Sequence, residues 1–266
     1  MSERFAHFCL KHKILGTAVQ FFFYVLLLSG FCYILNQPWR FWVVASAALL
    51  YFSILSVNLI ATRISLPAIN KLQNECDPYP LLAASDDILK HATADTDRVI
   101  ATINRCLALT YLGADEKSLN ELSELNIESR KRIIPMHKFV YYNNLASAYI
   151  TLGDAATAKK YYEKSREFVS AIKNKKNKAH CEEVSNYTYA EILIVEGEYK
   201  KSQELLSRID ATTKLRSVTL ALASAKINIG LGLTDRAKTD LEYVIATGNK
   251  LCCVAEAEEM LAKLPR

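Results

Sequence analysis

The five histidines, His7, His12, His91, His137 and His180, are the side chains best suited to act as bases or metal ligands near neutral pH. They are scattered along the chain, none with a second ligand at metal spacing, so a surface role is expected for each. The seven cysteines, Cys9, Cys32, Cys76, Cys106, Cys181, Cys252 and Cys253, are odd in number and contain no CxxC pair. That pattern fits small buried thiols in a reducing compartment better than a disulfide framework or a redox centre. Asp86-Asp87 and Glu258-Glu259 are adjacent carboxylates, which point in different directions from a helix and make poor acid–base dyads. HExxH, GxSxG and P-loop motifs are absent, and GLGLTD (Gly230 to Asp235) lacks the third glycine and the preceding strand of a dinucleotide site. The expectation is a chain that is not an enzyme and has no catalytic residues, metal or cofactor.

What remains is architecture. The 266 residues are 51% hydrophobic, with only 8 Gly and 6 Pro, a composition that favours an all-α fold. The first 62 residues carry only Glu3, Arg4, Lys11, Lys13 and Arg40 as charges, and the remainder is close to neutral. The basic pI of about 8.7 is therefore not gathered into one face, and nucleic acid is not an expected partner.

Residues 14–35 and 41–62 are two uncharged stretches, each long enough at 1.5 Å per residue to cross a hydrocarbon layer of about 30 Å. Only NQPWR separates them, with the helix breaker Pro38 and the interfacial Trp39, which predicts a tight antiparallel transmembrane hairpin. Gln20 and Asn58 are the strongly polar side chains within it; they either hydrogen-bond across the hairpin or reach toward the head groups. Arg4, Lys11 and Lys13 before the first stretch and Arg63 and Lys71 after the second, against Arg40 alone between them, predict that both termini are cytosolic. Residues 1–13 then form a cytosolic N-terminal segment, and 63–80, with three prolines, a juxtamembrane connector. Residues 81–266 form the soluble part.

Within that part, Gly113, Gly153, Gly197 and Gly232 recur at intervals of 40, 44 and 35 residues. Each lies between two apolar-periodic segments, which predicts four stacked helical hairpins, none able to bury its stripe alone. Around Gly153 the residues Tyr142, Leu145, Ala146, Tyr149, Gly153, Ala158, Tyr162 and Ser165 occupy the offsets of a tetratricopeptide repeat, and this segment resembles that family. The likeness weakens at the other glycines, where Ser202 stands for the small alanine, Leu206 for the aromatic and Asn228 for the tyrosine. It implies an α-solenoid of about four hairpins, closed by an acidic-faced capping helix over 249–264. The basic run Lys173, Lys175, Lys176 and Lys178 reads as a linker between the second and third hairpins.

The resemblance further implies a groove lined by the first helix of each hairpin. Its offsets fall on Val140, Asn143, Ser147, Tyr187, Glu191, Leu222 and Lys226, and these are the candidate partner-binding residues. Packing of hairpin on hairpin is the competing role for Val140, Tyr187 and Leu222. A clamp for a C-terminal carboxylate is not reproduced, since Val184, Thr188 and Ala223 stand where basic residues would be needed. The chain is therefore expected to be a membrane-anchored adaptor or scaffold. It would hold a protein or peptide partner at the cytosolic face of the bilayer, with a second copy of the chain as one open choice. A structural or assembly subunit of a larger membrane complex is the alternative.

Overall fold

The computed structural model describes residues 3–35, 39–128, 130 and 133–265. They form fourteen α-helices and one 3₁₀ turn, with no strand among the described residues, so the fold is all-α as expected. The chain divides into two compact units, Met1–Pro67 with Ala84–Ala101, and Ala68–Ala83 with Thr102–Arg266.

The first unit contains α1 (Glu3–Lys11), α2 (Lys13–Leu35) and α3 (Trp39–Asn58), together with parts of α4 (Ile60–Glu75), α5 (Tyr79–His91) and α6 (Asp95–Tyr111). Large side chains on α2 and α3 stand bare: Leu26 is 72% and Val44 71% exposed. Helices with apolar side chains on every face suit a surrounding that is itself apolar. Among the described residues one helix, over Phe41–Asn58, is long and apolar enough to cross a membrane, whereas the apolar part of α2, Lys13–Ser29, is shorter. The turn expected within NQPWR and the side chains of Cys32, Trp39 and Arg40 lie outside the described residues. A polar tie joins the two helices: the Gln20 amide donates to Ser56 Oγ at 3.2 Å and to the Tyr24 hydroxyl at 2.9 Å. Gln20 thus finds Ser56, two positions before the Asn58 considered from sequence.

α3 ends at Asn58, and after Leu59 the chain becomes helical again and passes through Pro67 to Glu75. Most of the 63–80 connector is therefore helix. Burial of Ala68 and Leu72 in the turns after the proline offsets the hydrogen bond that Pro67 cannot donate. The segment before α2 is also more than a tail. Ala6, Cys9 and Leu10 form a helical stripe on α1 and bury against Val57, Ile60, Ala61, Ile88, Ala92 and Ala101. Thr93 donates its N–H to the Leu10 carbonyl (3.3 Å) and its hydroxyl to the Lys11 carbonyl (2.9 Å), and Lys13 pairs with the buried Asp97 at 2.7 Å. The same docking stacks His7 on His91, with ring centroids 3.9 Å apart, so these two histidines are not scattered in space.

The second unit holds the repeats. The end of α6 pairs with α7 (Asp115–Glu124) through Ser118, which bonds to Cys106 and Thr110. Likewise α8 (Pro135–Thr151) pairs with α9 (Ala155–Glu167), α10 (Lys175–Val195) with α11 (Tyr199–Leu206), and α12 (Lys214–Gly230) with α13 (Thr234–Thr247); α14 (Cys253–Lys263) follows. The four turns are equivalent. In each the glycine has φ between 74° and 77°, a region costly for side chains with a Cβ. Its N–H bonds three residues back, and the next N–H reaches five back: Ala114 to Leu109 (2.9 Å), Asp154 to Tyr149 (2.9 Å), Glu198 to Leu193 (2.8 Å) and Leu233 to Asn228 (2.8 Å). This is the Schellman closure, made four times.

Packing repeats in register with the turns. Seven residues before each glycine stand Cys106, Ala146, Ala190 and Ala225, and five after it stand Ser118, Ala158, Ser202 and Ala237; all eight are fully buried. Small residues at both positions let the paired helices approach closely. The two serines replace alanine without leaving a stranded hydroxyl, because Ser118 Oγ donates to the Cys106 carbonyl (3.0 Å) and Ser202 Oγ to the Ala190 carbonyl (2.8 Å).

One expectation changes. Lys175, Lys176 and Lys178 begin α10, with Asn174 as the cap accepting from the Asn177 N–H, so this run is mostly helix rather than linker. The chain reversal after α13 falls on Asn249 (φ 53°), while Gly248 permits a close approach in which a Cβ would meet Val254 at 2.6 Å. From there the array returns to its own beginning. The Asn249 amide donates to the Glu75 carbonyl (2.7 Å), Lys250 pairs with Asp77 (2.5 Å), and the Cys252 N–H donates to the Tyr111 carbonyl (2.9 Å).

Candidate partner-binding surface

The first helices α8, α10 and α12 lie side by side, α10 contacting both neighbours, and carry the candidate residues. Asn143 is buried on α8, and its Oδ1 accepts from Thr188 Oγ1 of α10 at 2.9 Å. The pair is a polar weld between hairpins. Val140 packs against the cluster of Phe139, Val169, Ile172 and Cys181. Ser147 and Leu222 are half-buried.

Tyr187, Glu191 and Lys226 form the part of the set with chemistry. The Tyr187 hydroxyl donates to Glu191 Oε1 (3.0 Å) and lies 3.2 Å from the Thr219 carbonyl, which ties α10 to α12. Arg216 stands over the Tyr187 ring, 5.0 Å from its centroid, and its Nε lies 3.6 Å from Glu183 Oε1. Lys226 pairs with Glu256 of α14 at 2.7 Å. Burial pushes the Glu191 carboxyl above its ordinary range, against the pull of Lys226, the Tyr187 hydroxyl and Arg216. Burial likewise pushes Tyr187 well up and Tyr111 to about 12. Three acids, two bases and two tyrosines thus form a mixed-charge cluster at the face where α10, α12 and α14 meet, suited to polar and charged groups of a bound chain.

Arg216, Glu256 and Tyr111 were not foreseen. Arg216 lies outside the offsets carried over from the repeat family, and Glu256 enters because the terminal helix folds back onto the array. Tyr111 lacked a signal because the first hairpin keeps little of the repeat pattern. The glycines of GLGLTD are structural: Gly232 makes the fourth turn, and at Gly230 a Cβ would meet the Tyr199 ring at 2.2 Å. An opening of about 680 Å³ lies between α9, α10 and α11, lined by the stacked pair Tyr162 and Tyr189. Comparison with protein-family models, curated proteins and solved structures gave no match to this chain.

Proposed function

We propose that the chain is a two-span membrane protein whose helical-repeat unit is a non-enzymatic adaptor, holding a protein or peptide partner at the cytosolic face. The observation that carries the reading is the docking of α1, which precedes the first apolar helix, onto α5 and α6, which follow the second. Segments outside the spans that pack side chain on side chain, as α1 does on α5 and α6, lie on one side of a bilayer, so in this reading an even number of crossings separates them. Phe41–Asn58 is long enough for one crossing, and in this reading α2, an uninterrupted helix over Lys13–Leu35, supplies the other. The basic residues flanking the pair favour the cytosol for both termini. Tethering confines the repeat unit near the membrane and raises its effective concentration toward a partner there. The cluster around Tyr187, Glu191 and Lys226 is the contact surface in this reading.

Reporter fusions at both termini test the topology, and cytosolic activity at one end only would overturn it. The binding surface is tested by capture from solubilised membranes, comparing wild type, Lys226→Glu, and the swapped pair Lys226→Glu/Glu256→Lys. The swap keeps the ion pair and changes the surface. A partner lost in both variants supports the adaptor; an identical set of partners in all three sinks the surface. It would also favour a structural subunit that binds through its exposed apolar helices.

A further inference from the structure

We propose that His7, Asp87 and His91 form a binding site for a divalent transition-metal ion of the zinc class, fastening α1 to α5. One nitrogen of each imidazole and one carboxylate oxygen lie within 4.8 Å of one another. His7 Nε2 is 2.8 Å from Asp87 Oδ2, and His91 Nδ1 is 3.2 Å from Asp87 Oδ1. Zinc–nitrogen and zinc–oxygen bonds of about 2.0–2.2 Å at tetrahedral angles place neighbouring donors about 3.4 Å apart. Both separations fall slightly short of that spacing, and all three donors lie within 4.8 Å of one another, so the donors are gathered before any ion arrives. Asp87 and His91 are four residues apart on α5 and share a face, while His7 comes from a helix 80 residues away in sequence.

The donor chemistry selects the ion. Two imidazoles and one carboxylate suit zinc and its neighbours rather than calcium or magnesium, which take oxygen shells. Three protein ligands leave one tetrahedral position for water, and the three side chains are half-buried, which admits exchange with solvent. Without the ion His7 Nε2 hydrogen-bonds to Asp87 Oδ2 (2.8 Å) and His91 Nδ1 to the Asp87 backbone carbonyl (2.9 Å), a bond that coordination through Nδ1 would replace, and the rings lie nearly parallel at 10°. Coordination requires one ring to turn about its Cβ–Cγ bond, because an ion in the plane of one stacked ring lies outside the plane of the other. The bonds formed are dative, from imidazole lone pairs and the carboxylate, and any proton held by the histidines leaves to solvent, so affinity rises with pH. Filling the site adds a cross-link between the segment before α2 and the helix after α4.

The test uses the full chain in detergent micelles, stripped with a chelator. Zinc is titrated against a chromophoric competitor, and cobalt(II) is followed by its visible bands. Wild type is expected to take up one equivalent, with cobalt bands of four-coordinate intensity and a thermal midpoint that rises with zinc. His7→Asn and His91→Asn are expected to weaken binding by at least about tenfold, with Asp87→Asn behaving likewise. Cys252→Ser, which removes the one exposed thiol among the described residues, should leave binding intact. Helix content measured in chelator identifies variants that still fold, and any one of the three site variants suffices for the comparison. Zinc binding that survives in a folded site variant overturns the site, as does its loss in Cys252→Ser. A wild type whose midpoint and cobalt spectrum ignore added metal shows that the three residues are only a hydrogen-bonded latch.

Discussion

Asn228 shows how single side chains depart from the repeat pattern while preserving the fold. It stands where the resembling family has tyrosine, is buried, and donates to Asp240 Oδ2 (2.9 Å), which also accepts from Ser224 Oγ (2.7 Å). A polar bridge between α12 and α13 takes the place of an aromatic plug. Asn228→Leu is expected to lower unfolding stability by about 1–2 kcal/mol, because Asp240 loses a donor in a partly closed site; denaturant titration in detergent measures it. Glu191 gives a pH dependence. Its carboxyl titrates above the ordinary value of 4.5, so between the two values the folded chain binds more protons than the unfolded one. Stability is therefore highest below that window and falls as pH rises through it. Glu191→Gln lacks the loss. The thermal midpoint of the variant minus that of wild type should climb from about pH 4.5 upward and level off at higher pH; a flat difference would show that Lys226 and Arg216 fully compensate the burial. The Asn228 network was not legible in the sequence, because partners 12 and 16 residues apart leave no periodic trace; around Glu191 the repeat offsets supplied Tyr187, Glu191 and Lys226 but not the bonds they make.

Helical hairpins were far easier to read. A glycine five residues before a small side chain and seven after another marks all four turns, and the structure gives each the same closure. Stripes of apolar residues are dictated by helix geometry, so they survive when individual residues drift. Two elements escaped. α1 is short and had no visible partner in sequence, and α4 was obscured by Pro67, whose presence normally argues against a helix interior. At this scale two substitutions should differ sharply. Ala158→Leu forces extra methylenes between α8 and α9 and should cost about 1–3 kcal/mol. Ser202→Ala removes donor and methyl-sized filler demands together, leaving the Ala190 carbonyl with its helical bond, and should cost less than about 1 kcal/mol. Thermal unfolding of both compares them, and equal losses would contradict the shared register.

The repeat unit as a whole is fastened at its ends. Residues 249–252 bond to Glu75, Cys76, Asp77 and Tyr111, across 174 residues of sequence for the Asn249–Glu75 contact. Solenoid logic from sequence anticipated a capping helix but not its return to the start, since nothing in Asn249 to Cys252 announces a distant partner. Ending the chain after Gly248 should expose Cys76, Cys106 and other thiols now buried, and faster labelling by a thiol reagent in the truncated chain would register it. Unchanged labelling would mean the closure is dispensable. The fastening also sets an order in time. During synthesis the hairpins emerge one after another, each able to pair with the one before it, yet the first cannot complete its contacts until the residues near 250 have left the ribosome. By then α2 and α3, in the proposed topology, are already committed to the bilayer. The nascent unit therefore spends most of its translation with one edge uncovered, the interval in which a chaperone would have most to protect.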